Sequence, residues 1–412
     1  MKRFLYLALA VIFILSGIAF RKLMNPPYVW SFAFVFWAVA FIFLALHAKS
    51  NAARTLCLSA MAALLALSAM EGYLSLNSKV KPRRDRPSIS EIRQDRQNLN
   101  LAAHLSHLEK NDPDLGARPG AVQIQTASRV LLDDELVFDV IYSTLDSGWR
   151  VTPQPDNAEI AVVFFGCSFT IGEGLQDKES YPYRVGELLG DRFQVFNFGF
   201  HGYGSHQMLA QIQSGFLEDI SRRYKKIIPF YLTINGHELR CAGYSHWDQY
   251  GPWYAVENGE VTRKGKFIDN KRLTRPFGHK ILRDCLIYKA VQSPKVHDLD
   301  ALGDLHAAII ARADEELREY YDCRLTVLVW PDAPYAPKLD RLGVRSIDLA
   351  PLYPGIETKN KDRFLIRHDG HPTALAADVL ARYLAAFIAK EDSSVVKQIW
   401  AAPEDGDPID AY

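Results

Sequence analysis

Four short loops carry residues whose types and spacing suit nucleophilic attack on an ester. The first is Gly166-Cys167-Ser168-Phe169-Thr170-Ile171-Gly172-Glu173-Gly174, directly after the apolar run IAVVFF at 160–165. A serine at a strand end, flanked by glycines, exposes its hydroxyl at a tight turn whose amides can serve an oxyanion. That hydroxyl is a weak nucleophile until a base takes its proton, and an imidazole suits the task near neutral pH. The loop Arg367-His368-Asp369-Gly370-His371-Pro372-Thr373 supplies the imidazole of His371 and the carboxylate of Asp369, which can fix its tautomer and stabilise the imidazolium. Two further loops offer donors. In Asn197-Phe198-Gly199-Phe200-His201-Gly202-Tyr203-Gly204 the glycines permit close backbone approach, and Gly202 can present an amide to a substrate oxygen. In Thr233-Ile234-Asn235-Gly236-His237-Glu238-Leu239-Arg240 the Asn235 side chain can donate, and His237 and Arg240 are candidate substrate-binding groups at the same edge.

Each loop alone has a plainer reading. Ser168 could be incidental to a glycine-rich loop, Asn235 a cap, and the second loop a strand-to-helix turn. Pro372 and Asp369 fit a helix start, but that account leaves His371 unexplained. Cys167 is a second nucleophile candidate, against packing as a small apolar residue. His201, His206, His237 and His246 lack an i, i+4 pair or a carboxylate framework, so neither metal nor cofactor is expected. The five cysteines include no CxxC pair, and the spacing leaves a disulfide among Cys241, Cys285 and Cys323 open. The formal net charge is +0, which gives no global basic field for nucleic acid.

These loops need elements that bring them to one place. From Ile160 the chain alternates short apolar strands (IAVVFF, FQVFNF, IIPFYLTI, LTVLVW, VRSIDL) with helical stretches: YPYRVGELL, HQMLAQIQSGFLEDI, a helix over 302–321, and ALAADVLARYLAAFIAK. Such alternation implies an α/β fold with a parallel five-stranded sheet covered on both faces, whose sites lie beyond the carboxyl ends of the strands. All four loops follow strands or precede the last helix.

Upstream, the 412-residue chain is too long for one ordinary core and divides in composition. Residues 1–76 contain three apolar runs, each near the ~20 residues that cross a bilayer. They read as transmembrane helices, with Tyr28, Trp30 and Tyr73 at the interfaces and Glu71 solvated near a helix end. A cleaved signal peptide is the alternative for the first run. Lys2 and Arg3 favour an inner-membrane, multi-pass arrangement with the domain on the periplasmic side, whereas Arg21 and Lys22 oppose it. Residues 77–115 read as a polar linker and a juxtamembrane helix with apolar positions Ile92, Leu99, Leu101, Leu105 and Leu108. Residues 116–155 read as a β-rich lead-in with strands VQIQT, LVFDVIYST and WRVT, residues 156–392 as the α/β domain, and 393–412 as a tail.

Taken together, the four loops resemble the sequence blocks of SGNH (GDSL-like) hydrolases over about residues 155–390. GCSFT looks like the nucleophile block, NFGFHGYG the glycine block, TING the third block and DGHP the aspartate–histidine block. The resemblance implies a flavodoxin-like three-layer sandwich and ester hydrolysis or acyl transfer through an acyl-enzyme. It implies Ser168 as nucleophile, His371 as base and Asp369 as orienting acid, with an oxyanion hole from the Ser168 and Gly202 amides and Asn235. The third block departs from the usual Gly-x-Asn-Asp, and one residue rather than two separates Asp369 from His371. That shorter spacing resembles SGNH-like proteins of bacterial polysaccharide acetylation, such as alginate acetylation factors. Two functions stand from this reading. One is a membrane-anchored esterase or O-acetyltransferase acting on an acylated glycan or small ester. The other is a non-catalytic glycan-binding or scaffold domain of an envelope assembly. The membrane bilayer is the expected partner, and no protein partner is named.

Overall fold

The computed structural model describes residues 2–23, 29–77, 84–85, 101–103, 109–120, 125–132, 135–245, 247–270 and 299–391. They fall into two compact units, the N-terminal helices and everything from Arg84 onward.

The first unit is three helices, α1 (Lys2–Leu23), α2 (Val29–His47) and α3 (Asn51–Asn77). Among the described residues, Trp30–His47 and Asn51–Leu74 are long and apolar enough to cross a membrane, and α1 contributes the shorter apolar run Leu5–Ser16. Phe13 of α1 stacks on Phe43 of α2 at 5.6 Å between centroids. One expectation changes here. Trp30 is buried against Phe34 and Trp37, while Tyr73 is exposed. Glu71 is buried, not solvated. The reason is the face it shares: Ser68, one turn earlier, donates to the Ser31 carbonyl of α2 at 2.9 Å, so this side of α3 turns inward. Tyr28 lies outside the described residues.

The second unit is built on five parallel strands, β1 (Ile160–Gly166), β2 (Phe193–Gly199), β3 (Lys226–Thr233), β4 (Thr326–Val329) and β5 (Arg345–Asp348). Their spatial order is β5-β4-β3-β1-β2, the flavodoxin-like order. Every residue of β1 is buried, which is why the run shows no polar alternation. Alternate side chains feed two cores. Ala161, Val163 and Phe165 join one beneath helices Ser205–Gln213 and Leu299–Tyr321. Ile160, Val162 and Phe164 join the other beneath helices Tyr181–Leu189 and Ala374–Glu391. The result is the three-layer α/β sandwich with a parallel five-stranded sheet.

The lead-in differs from expectation. Its central strand, Gln125–Leu132, pairs antiparallel with Glu135–Ser143 and with Arg84–Asp85, and parallel with Leu101–Ala103. Leu101–Ala103 is therefore strand rather than helix, because available backbone partners override a local helical spacing. The rest of that helical reading and the tail 393–412 lie outside the described residues. WRVT is not a strand: Trp149 packs on Phe198 and Phe216, and Arg150 turns its side chain into the domain. The single helix read over 206–220 is two, Ser205–Gln213 and Glu218–Arg223, interrupted where Gly215 takes φ 82°. An antiparallel hairpin, Pro252–Glu257 with Glu260–Lys266, follows β3 and was not anticipated.

Candidate active site

Ser168 opens a one-turn helix, Ser168–Ile171, at the carboxyl end of β1. The turn is tight. Gly166 has φ 154°, and a Cβ there would lie 2.1 Å from Thr170 Oγ1. A Cβ on Gly199, at the end of β2, would lie 2.7 Å from the Ile171 nitrogen, so the two glycine positions let the strand ends close on this helix. Asn197 fastens it by donating from Nδ2 to the Thr170 carbonyl at 3.1 Å, while its Oδ1 accepts from the Gly199 amide at 3.1 Å.

The aspartate–histidine loop meets Ser168 from the start of the last helix. The Ile366 amide donates to the His371 carbonyl at 2.7 Å, and His368 and Gly370 adopt φ 63° and 90°. This reversal lets a single intervening residue suffice: Asp369 Oδ1 bonds His371 Nδ1 directly. A carboxylate only accepts, so Nδ1 carries the proton and Nε2 keeps its lone pair. His371 Nε2 lies 2.8 Å from Ser168 Oγ. The Asp369 side chain is 1% exposed and that of His371 16%, so the ion pair that forms on proton transfer is shielded while the imidazole edge stays reachable. Phe169 packs beside the ring, and Trp330 packs on Phe169.

Other expected residues fall less uniformly. Gly202 occupies a turn at φ 74°, with the Trp247 indole laid against it: a Cβ would lie 2.4 Å from Trp247 Nε1. Asn235 is exposed beyond β3, and its backbone amide bonds the Asp332 carboxyl, which burial pushes above the usual carboxylate range. His237 is not at the exposed edge. It is fully buried, with Nδ1 2.8 Å from Tyr231 Oη, and burial first, then Arg240, His306 and His206, holds its pKa well below the usual imidazole value. The short helix His237–Cys241 rotates it inward, leaving a core histidine where a substrate contact was expected. Arg240 donates from Nη1 to the Tyr203 carbonyl at 2.8 Å and so braces the glycine loop. Cys167 is wholly buried among apolar residues on the face opposite that reached by Phe165.

The other histidines have partners of their own. His206 Nε2 lies 2.7 Å from Asp248 Oδ2. His306 bridges Ser205 Oγ and Thr233 Oγ1, each at 2.8 Å, and burial lowers its pKa to about 3. Cys241 and Cys323 are free, buried thiols pushed up to about 12 by burial. His246 and Cys285 lie outside the described residues. A cavity of about 990 Å³ between the 252–266 hairpin and helix Leu299–Tyr321 is lined by none of Ser168, Asp369 and His371.

Three groups at the site escaped the sequence reading. Arg150, buried, donates to the carbonyls of Ile171 (2.5 Å), Gly172 (2.6 Å) and Leu175 (2.6 Å) and pairs with Asp177 at 3.1 Å. Tyr142 Oη accepts from the Gly174 amide at 2.8 Å. Glu173 Oε2 stands 2.8 Å from His201 Nδ1 and 3.4 Å from His371 Nε2.

No family model matches the chain, and no curated protein matches it. Solved structures are similar to it. A lipolytic G-D-S-L family protein from Veillonella parvula is 11% identical, with 57% of this chain and 99% of that one covered and a TM-score of 0.32. Est24, a carbohydrate acetylesterase from Sinorhizobium meliloti, is 9% identical over 56% and 99%, with a TM-score of 0.29. AlinE4, an SGNH-hydrolase family esterase, is 14% identical over 58% and 99%, also at 0.29. What the site can do therefore rests on its own geometry.

Proposed function

We propose that this protein is a membrane-anchored SGNH-type serine esterase or O-acetyltransferase. The observation that carries the reading is the unbroken series Ser168 Oγ, His371 Nε2, His371 Nδ1 and Asp369 Oδ1 at the carboxyl edge of a parallel sheet. His371 takes the Ser168 proton as Oγ attacks the acyl carbon, and Asp369 stabilises the imidazolium. Collapse expels the alcohol, which takes that proton, and leaves an ester on Ser168. Water or a second hydroxyl then attacks, again through His371. The Ser168 and Gly202 amides, with Asn235, are the oxyanion donors in this reading, and its tight glycine-rich turns support it.

The substrate class is an acylated glycan. Tyr244, Trp247 and Tyr250 are 44%, 58% and 55% exposed, and Trp247 packs on Gly202, the residue after His201. Broad amphipathic rings suit the apolar faces of a sugar. The apolar helices Trp30–His47 and Asn51–Leu74 support anchoring. We place the protein in the inner membrane by three crossings, with the catalytic domain on the periplasmic side.

The test is Ser168→Ala. Turnover of an aryl acetate falls to background while circular dichroism and the unfolding midpoint stay unchanged; retained turnover refutes the assignment. The exposed Asn235, in a block that departs from the family pattern, favours the second reading of a non-catalytic glycan-binding domain. A fluorophosphonate probe separates the two, because folded wild-type protein that resists labelling at Ser168 is a binder.

A further inference from the structure

Three separate stretches of chain meet at Gly174. This residue ends the loop that Ser168 opens, and its φ of 80° is a backbone state that favours glycine. From one side comes the lead-in strand Glu135–Ser143. Tyr142 Oη accepts from the Gly174 amide at 2.8 Å, and a Cβ on Gly174 would lie 3.1 Å from Phe138 Cδ1. From the other side comes Ile366, whose Cδ1 would lie 2.5 Å from that same Cβ. Ile366 is the root of the aspartate–histidine turn. Its amide donates to the His371 carbonyl at 2.7 Å, and its carbonyl accepts from the amides of Asp369 at 3.0 Å and Gly370 at 2.9 Å.

Ser168 and His371 are 203 residues apart in sequence, and each is fixed first within its own loop. The Gly172 and Glu173 amides donate to the Ser168 carbonyl at 3.1 and 2.9 Å. At Gly174 one loop is set against the other. Lacking a side chain, Gly174 lets Ile366 rest directly on the main chain of the nucleophile loop. Tyr142 keeps that main chain from shifting. Its side chain is buried, and burial first, then the Glu173 carboxylate, hold its pKa above the usual tyrosine value, so its oxygen is a neutral hydroxyl that accepts from the amide. The ring is held in turn by Arg150, whose Cζ lies 4.5 Å from the ring centroid. The hydroxyl thus fixes where the end of the loop lies relative to Ile366, and with it the 2.8 Å approach of Ser168 Oγ to His371 Nε2.

We propose that Tyr142 is a positioning residue for the Ser168–His371 pair, which makes the lead-in strand a working part of the catalytic site. This rests on the reading of Ser168 as nucleophile above. Tyr142 exchanges no proton with the reacting atoms and acts only through the Gly174 amide. Without the hydroxyl, that buried N–H loses its acceptor and the loop moves to recover one. Proton transfer from Ser168 to His371 and attack by Oγ both depend on close alignment, so a small displacement slows the chemical step. Substrate capture on the outer face of the loop is left as it was. A ring that only filled space would be replaced by phenylalanine without effect on the rate.

The readout is the attack of Ser168 itself. Full-length protein is inactivated with a fluorophosphonate: Oγ bonds the phosphorus, fluoride leaves, and His371 takes the serine proton. The limiting rate, kinact, is separated from the half-saturating concentration, KI. In Tyr142→Phe kinact falls about tenfold, on the order expected for a slight misplacement of reacting groups, while KI stays within about a factor of two of wild type. Ile366→Ala removes the packing on the opposite side of Gly174. It lowers kinact in the same way, and it serves alone if Tyr142→Phe does not fold. A merely structural role lowers the unfolding midpoint and leaves kinact unchanged, and that result overturns the proposal. So does a rise in KI at constant kinact. Failure of the underlying reading looks different: the probe then labels Ser168→Ala as fast as it labels the wild type.

Discussion

Arg150 donates from Nη1 to the carbonyl oxygen of Gly172 at 2.6 Å, across 22 residues of sequence. The same guanidinium reaches Ile171, Leu175 and Asp177, so one buried cation gathers the carbonyls of the loop that begins with Ser168. Fixing the Ser168 turn takes more than the strand that delivers it.

Arg150→Ala strips partners from three carbonyls and leaves Asp177 without its ion pair. Breaking a buried charge pair costs about 3–5 kcal/mol when one partner is removed, and the 18% exposure of the Asp177 side chain places this case toward the low end. Urea unfolding at pH 7 reads the lowered midpoint. Arg150→Lys, which offers a point charge in place of a planar fork, recovers part of the stability and less of the activity.

Asp369→Asn keeps the shape of the loop but removes the acceptor that fixes the protonated nitrogen of His371. An amide can present its own N–H to Nδ1 and stabilise the tautomer that blocks proton uptake at Nε2. Turnover of the aryl acetate falls roughly a hundredfold or more, with little change in unfolding midpoint. Activity within a factor of two of wild type removes Asp369 from the mechanism.

Acid stability follows from His306. Its folded pKa lies at about 3 because burial disfavours the charged ring, against about 6.5 in the unfolded chain. Between these values the unfolded state binds more protons than the native state, so the contribution is present above pH 6.5 and is lost as pH falls toward 3. His237, lowered in the same direction by its burial, adds to the slope. His306→Gln retains a polar bridge to Ser205 and Thr233 but cannot titrate. Plotted against pH from 7 to 4, its unfolding free energy declines less steeply than that of wild type. Parallel curves refute the assignment.

The sequence exposes some of this architecture and hides the rest for physical reasons. Strands buried on both faces announce themselves as apolar runs, and residues just past their ends share one edge of the sheet. Ser168 could be placed at that edge on those grounds, whereas Asp369 and His371, which precede the last helix, were joined to it through the resemblance of the four loops to known sequence blocks. His237 could not be placed the same way, because two residues of helix decide between the edge and the core. Glu173 and His201 look like ordinary loop residues; only the meeting of β1 and β2 pairs them. Arg150 hides in a strand-like run, since a buried guanidinium betrays no pattern until its acceptors are known. The 252–266 hairpin went unread although it carried a signal: Asn258-Gly259, with φ 52° and 86°, is a dipeptide suited to a two-residue turn.

The edge of strand Glu135–Ser143 is finished by side chains from the turn that follows the Ser168 loop. The Ile141 amide donates to Gln176 Oε1 at 3.1 Å and the Ser143 amide to Asp177 at 3.1 Å. For anyone excising the α/β domain for expression, that seam matters more than the compositional border near residue 156. A fragment beginning there retains all five strands of the main sheet but discards the buried Tyr142 and Arg150, and with them the partners of Gly172, Gly174 and Asp177. The smallest working unit starts upstream of residue 135.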